Sequence, residues 1–143
     1  MKLYLDSAYL AKCYLTEPDS ARVRKLAHGA EGLYSSAWSV AELACVFHRY
    51  VREGLLHPRQ SAKLRLIFLE DLRNLVWVLL PVTESLLRRV ESATRGLPST
   101  VYLRAGDAVH LLSAQEAGFT EIWTSDRHLL GAAASFGLAG RSV

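Results

Sequence analysis

The sequence predicts an α/β fold with a parallel sheet. Two observations carry that expectation. Short runs of β-forming residues alternate with longer stretches of helical periodicity. The run from Val76 to Val82 is almost continuously apolar, as in a strand covered on both faces.

The elements follow in order. Lys2 to Leu5 alternate weakly and form a first strand that ends at Asp6. Ser7 to Leu15 is a short helix carrying Ala8, Leu10, Ala11, Tyr14 and Leu15. Thr16-Glu17-Pro18-Asp19 turns the chain into a second helix, Ser20 to His28, with Val23, Leu26 and Ala27 inward. Gly29 and Gly32 bracket a loop before a second strand, Leu33 to Ser36. A long helix from about Ala37 to Glu53 points Val40, Leu43, Ala44, Phe47 and Val51 inward, spaced by three and four. Gly54 ends it. Pro58 suits the first turn of the next helix, which runs to about Asn74 with Leu64, Phe68 and Leu72 on one side. That stripe is core, or a groove for a partner helix. After the apolar strand, Thr83 caps a helix to about Arg95, and Gly96-Leu97-Pro98-Ser99 is a loop. A helix opening just after Asp107 carries Ala108, Val109, Leu111, Leu112 and Ala114 on its apolar face and stops near Gly118. Ile122-Trp123-Thr124 is a fourth strand, followed by Asp126. His128 to Phe136 is a last helix, and a short end strand lies near Gly140 to Val143.

The chain has 143 residues, the size of one ordinary domain, and half are apolar, which is ample for a core. Asp6 interrupts the N-terminal apolar run, so no signal peptide is expected. The stretch Leu64 to Leu87 is broken by Glu70, Asp71, Arg73, Pro81 and Glu84, which excludes a membrane span there. Cys13 and Cys45 fall among apolar neighbours and read as buried free thiols. The formal charge of +3 leans toward an anionic partner. Arg49, Arg52, Arg59, Lys63 and Arg65 line one helical hairpin, and Arg22, Arg24 and Lys25 another helix. Arginine's planar fork suits phosphate. A solvated helix face is the simpler account of both sets.

Four acids stand at element ends. Asp6 and Asp126 follow strands, Glu42 lies early in the helix after the second strand, and Asp107 opens the helix before the fourth strand. In a doubly wound sheet the first and fourth strands flank the reversal of strand order, where ligands gather. Like charges ~4 Å apart repel by about 4 kcal/mol at an effective dielectric of about 20. Four carboxylates in one cleft therefore call for a compensating charge. Oxygen-only ligands point to Mg2+, with Mn2+ as a second choice, and not to zinc. Capping competes with this reading at every acid, because carboxylates are favoured at helix starts. Ser39-Val40-Ala41-Glu42 matches a capping box in which Glu42 reaches back to Ser39. The helices after Pro58 and Thr83 begin without an acid cap, so acid capping is not a general habit of this chain.

The chain resembles PIN-domain proteins of the VapC toxin type over almost its whole length. Four segments carry the resemblance: Tyr4-Leu5-Asp6-Ser7, Ser39-Val40-Ala41-Glu42, Leu103 to Leu111 (LRAGDAVHL) and Thr124-Ser125-Asp126-Arg127-His128-Leu129. Each alone is weak; their order and spacing are more specific. The resemblance implies a three-layer α/β/α sandwich with a mostly parallel sheet and a magnesium-dependent ribonuclease. It carries over Asp6, Glu42, Asp107 and Asp126 as the acidic quartet, with Thr124 and Ser7 as supporting hydroxyls. Asp6 and Asp107 would hold the metal directly, Asp126 directly or through water, and Glu42 would position or deprotonate the attacking water. It further implies an RNA substrate, a partner antitoxin and a homodimer; the two cysteines, read as free thiols, fit a reducing cytoplasm. The chain departs from the pattern in its abrupt end at Val143, which bears on edge packing.

Other residues have simpler readings. His110 and His128 read as structural or surface residues. Trp38, Trp77 and Trp123 read as core or sheet-edge packing, with Trp38 able to stack a base if exposed beside the acids. A non-catalytic RNA-binding or scaffold domain on the same fold is the main rival. A phosphatase or phospho-acceptor protein also places Asp after its first strand. Its second Asp, two positions on, is missing here, since position 8 is Ala.

Overall fold

A computed structural model describes residues 1–143. The elements in order are β1 (Lys2–Tyr4), α1 (Ser7–Tyr14), α2 (Ser20–His28), β2 (Gly32–Ser36), α3 (Trp38–Arg52), α4 (Pro58–Arg73), β3 (Trp77–Leu80), α5 (Glu84–Arg95), α6 (Ala105–Glu116), β4 (Glu121–Trp123), α7 (Arg127–Ala133), a 3-10 turn (Ala134–Phe136) and β5 (Ala139–Arg141). No helix is long and apolar enough to cross a membrane.

The strands pair in parallel throughout. β2 lies between β1 and β3, with Leu3 opposite Leu33 and Tyr34 opposite Val78, and β4 pairs with β5. A bridge between Leu5 and Trp123 and a 3.1 Å bond from the Asp6 amide to the Trp123 carbonyl join the two parts. The combined order is β3-β2-β1-β4-β5, and strand order reverses between β1 and β4.

Alternation in β1 divides the core. Leu3 and Leu5 face a cluster with Tyr9, Leu10, Leu15, Val23, Leu43, Phe47 and Phe68, supplied by the first four helices and their flanks. Tyr4 faces the opposite cluster with Leu86, Val109, Leu112, Leu129 and Phe136, supplied by the last three helices and the turn that follows. Layers of helix, sheet and helix result. The change of face follows from handedness: right-handed crossovers that reverse direction along a sheet must cross on the other side. The reversal leaves the carboxyl ends of β1 and β4 side by side.

Several expectations need correction. β3 is shorter than Val76 to Val82 and lies at the sheet edge, with Val76 and Val78 exposed. A continuous apolar run does not distinguish an edge strand from a central one. α6 begins at Ala105, two residues before Asp107, and is buried on all sides from Asp107 to Ala114 because it lies against α5, α7, β2 and α3. On α3, Leu43 and Phe47 are buried but Val40 is exposed. Phe68 is buried, and Leu64 and Leu72 are partly buried on the same core. Cys13 is half-buried and Cys45 is exposed. The end strand is Ala139–Arg141, and Gly140 packs against Leu130 so closely that a Cβ there would lie 2.9 Å from the Leu130 Cδ2 and 3.2 Å from its Cα. The Val143 amide donates to the Tyr9 hydroxyl at 2.7 Å, so the tail is tied down.

Candidate active site

The carboxyl ends of β1 and β4 open into a cleft of about 780 Å³ whose lining includes Asp6, Glu42, Asp107 and Asp126. Asp6 lies just beyond β1 and caps α1, its Oδ1 accepting from the Tyr9 amide at 3.0 Å. Its Oδ2 accepts from the Thr124 hydroxyl at 2.5 Å. Thr124 in turn accepts from the Asp126 amide at 2.9 Å, linking the two strand ends. Asp6 is only 3% exposed. Burial pushes its pKa up to about 6, against the opposing pull of the His110 ring, the Thr124 hydroxyl and the Tyr9 amide.

Asp126 caps α7. Its Oδ1 accepts from the amides of His128 at 2.8 Å and Leu129 at 3.2 Å. Partial burial works against the charge, but those amides and the Arg104 guanidinium hold the carboxyl below its ordinary range. Asp107 sits in the first turn of α6 and caps nothing: its Oδ2 accepts from Arg104 Nε at 2.9 Å. Arg104 Nη2 lies 2.5 Å from Asp126 Oδ2 and 3.4 Å from Asp107 Oδ1. One guanidinium thus spans two acids.

Glu42 does not form the capping box. The α3 N-cap is Ala37, and the Ser39 hydroxyl bonds Ser35 at 2.8 Å. Glu42 Oε1 instead meets His110 Nε2 at 2.7 Å, and His110 Nδ1 meets the Tyr4 hydroxyl at 2.9 Å. His110 is buried with Tyr4 beneath the cleft. In the tautomer these bonds favour, Tyr4 donates to Nδ1 and Nε2–H donates to Glu42.

The four acids expected from the sequence line one cleft, and Thr124 bonds one of them. Ser7 lines the cleft but bonds no acid. Two functional candidates were not expected. Arg104 precedes Asp107 by three residues and His110 follows it by three, a spacing that sets side chains on one side of a helix. His128 stacks on Tyr102, ring centroids 3.9 Å apart, and does not line the cleft, in keeping with a structural reading. Trp38 is 43% exposed and lines the cleft, contrary to the core reading, whereas Trp77 is buried. Gly106 makes room for it, since a Cβ there would lie 3.3 Å from the Trp38 Nε1 and 3.5 Å from Glu42 Oε2. Of the expected basic stripe, Arg49 lines the cleft. Arg65 is committed elsewhere, donating to the Ala44 carbonyl at 3.0 Å and lying over the Phe47 ring. Arg24 donates to the Leu15 carbonyl at 2.9 Å, holding the end of α1.

All-carboxylate donors suit a hard divalent cation. As the acids now stand, no three His, Cys, Asp or Glu residues approach closely enough to share one ion. Part of the compensating charge expected from a metal comes here from Arg104, which pairs with Asp107 and Asp126. The donor chemistry fits a metal; the spacing is that of a site whose acids are already partnered.

The chain belongs to the PIN domain family, whose model matches residues 3–134. Solved structures with the same fold include Mycobacterium tuberculosis VapC20, a sarcin-ricin loop cleaving toxin, at TM-score 0.70 and 14% identity, covering 91% of this chain and 94% of that one. FitAB bound to a DNA fragment is similar at TM-score 0.71 and 18% identity, covering 99% and 94%. FitAcB from Neisseria gonorrhoeae is similar at TM-score 0.67 and 19% identity, covering 98% and 96%. No curated protein sequence is significantly similar to the chain.

Proposed function

We propose that residues 1–143 act as one PIN unit, a Mg2+-dependent endoribonuclease, with Mn2+ a substitute, that serves as the VapC-type toxin of a toxin–antitoxin pair. The observation that carries this reading is the gathering of Asp6, Glu42, Asp107 and Asp126, remote in sequence, on one cleft at the β1/β4 reversal. Membership of the PIN family and the fold shared with toxins support it. An antitoxin partner, a homodimer and a cytoplasmic location belong to the same reading.

Asp6 and Asp107 would hold the metal, with Asp126 beside them. A bound ion would supply Lewis-acid polarisation of the scissile phosphate and of the attacking water. The protein's own groups supply the rest. Glu42, oriented by His110, accepts a proton from the attacking water. Thr124 fixes Asp6 relative to Asp126 through its two bonds. Arg49 at the cleft wall meets the RNA backbone, and Trp38 offers an indole face for a base.

The test is cleavage of a structured RNA in Mg2+ by the wild type and by Asp6→Asn and Asp107→Asn. Cleavage by the wild type and loss in both variants is expected; undiminished cleavage by either variant refutes the assignment. A scaffold reading draws on specific observations: Asp6 and Asp126 cap helices, and Arg104 partners two of the acids. Calorimetric titration with Mn2+ separates the two, since no binding at millimolar metal favours the scaffold.

A further inference from the structure

Arg104 stands where the expected positive charge should be. Among lysines and arginines it alone forms ion pairs with the four acids, 2.9 Å from Asp107 and 2.5 Å from Asp126. The other basic side chains on the cleft are placed differently and pair with none of the four acids. Lys12 pairs with Asp19 at 2.5 Å and Glu17 at 3.3 Å, and the Arg49 guanidinium lies over the Tyr50 ring. Arg104 sits in the extended residue before α6, makes no capping bond with its side chain, and leaves half of that side chain exposed. Its only side-chain hydrogen bonds are to the two acids.

A divalent ion bound by Asp107 and Asp126 needs the oxygens that the guanidinium now takes, and two cations on the same oxygens repel. We infer that Arg104 is an internal counter-ion that a divalent metal displaces from Asp107 and Asp126, and that the freed guanidinium then binds the substrate phosphate at the cleft. The planar fork suits this exchange, because carboxylate and phosphate present the same pair of acceptor oxygens to it. The exchange makes metal and RNA binding mutually reinforcing: metal frees the arginine that the phosphate needs, and a phosphate that retains the arginine favours the metal.

The inference rests on the metal-dependent reading above, and the test keeps the two apart. Chelator-treated wild type, Arg104→Gln and Arg104→Lys are titrated with Mn2+ by calorimetry, with circular dichroism as the check on folding. Losing the competitor should tighten Mn2+ binding in Arg104→Gln by about tenfold. Arg104→Lys, a single ammonium that cannot bridge as a fork does, should fall between it and the wild type. At saturating Mn2+, Arg104→Gln should show a raised KM for RNA, with kcat changed less. Equal or weaker Mn2+ binding by both variants, with a wild type that binds metal and cuts RNA, overturns the exchange alone. If no form binds Mn2+, the exchange and the nuclease reading both fail.

Discussion

Replacing Asp6 with Asn should stabilise the protein in the absence of metal and abolish the RNA cleavage proposed for it. Asp6 is buried beside Thr124 and the Tyr9 amide, and its pKa is raised from an ordinary 3.8 to about 6. At about 1.4 kcal/mol for each tenfold change in proton affinity, keeping that carboxylate ionised in the fold costs about 3 kcal/mol. Asparagine is a close stand-in for the protonated acid. It has the same shape, its carbonyl can still accept from the Tyr9 amide, its NH2 donates to the Thr124 hydroxyl oxygen as the hydroxyl of the protonated acid would, and it carries no charge to desolvate.

The sign follows from proton binding. Between pH 3.8 and about 6 the folded protein holds a proton on Asp6 that the unfolded chain has released. The favourable contribution of the neutral acid is fully present below that window and is lost as pH rises through it. Asp6→Asn keeps its neutral group at every pH. Its advantage over the wild type should therefore be near zero at pH 3.5 and reach about 3 kcal/mol at pH 7.5. Urea denaturation of both proteins with a chelator present, at the two pH values, measures it. Saturating Mg2+ should shrink the gap at pH 7.5, because the ion compensates the carboxylate. A variant no more stable than the wild type at pH 7.5, or equally favoured at pH 3.5, refutes the burial argument.

Two further outcomes rest on other contacts. His110→Ala removes the partner of both Glu42 and the buried Tyr4 hydroxyl, and stability should fall by about 1–3 kcal/mol. The same change should lower kcat for RNA cleavage with little effect on KM. His110→Gln, which retains a donor for Glu42, should restore part of kcat; no difference between the variants in steady-state kinetics would reduce His110 to a packing role. Gly140→Ala should be destabilising, because its Cβ would press on the Leu130 backbone at 3.2 and 3.3 Å. Overpacking of this kind costs about 1–3 kcal/mol, and an unchanged thermal midpoint would show that β5 shifts freely.

Local periodicity made the element order legible. Spacings of three and four marked Leu43 and Phe47 on α3, and Gly118, at φ 81°, stood where the helix carrying Asp107 gives way to a turn. Asp6, Asp107 and Asp126 were legible because each stood next to a predicted element boundary, and Glu42 because it lay in the first turns of α3. What escaped depended on partners distant in sequence. Nothing in Val76 to Val82 states that β3 has one neighbour, since pairing is set by the whole sheet. The Ser39–Glu42 box failed because Ser39 lies inside α3 and finds Ser35, leaving Glu42 to an imidazole 68 residues away. Arg104 was visible as a charge but not as a bridge, because Asp126 reaches it only after β4 is laid beside β1.

Capping and catalysis are usually set against each other as explanations of an acid at a helix start. Here they use different oxygens of the same group. Asp126 gives Oδ1 to the α7 amides and Oδ2 to Arg104, and Asp6 gives Oδ1 to Tyr9 and Oδ2 to Thr124. The amide bonds fix each carboxylate through one oxygen, leaving the other to Arg104 at Asp126 and to Thr124 at Asp6, a preorganisation that a ligand-binding site requires. Truncation to Ala would remove both functions at once, so lost cleavage would not distinguish a damaged helix from a missing ligand. Asn keeps the capping oxygen and changes the other, so it separates helix capping from the chemistry at these two positions. Asp107, which caps nothing, needs no such care.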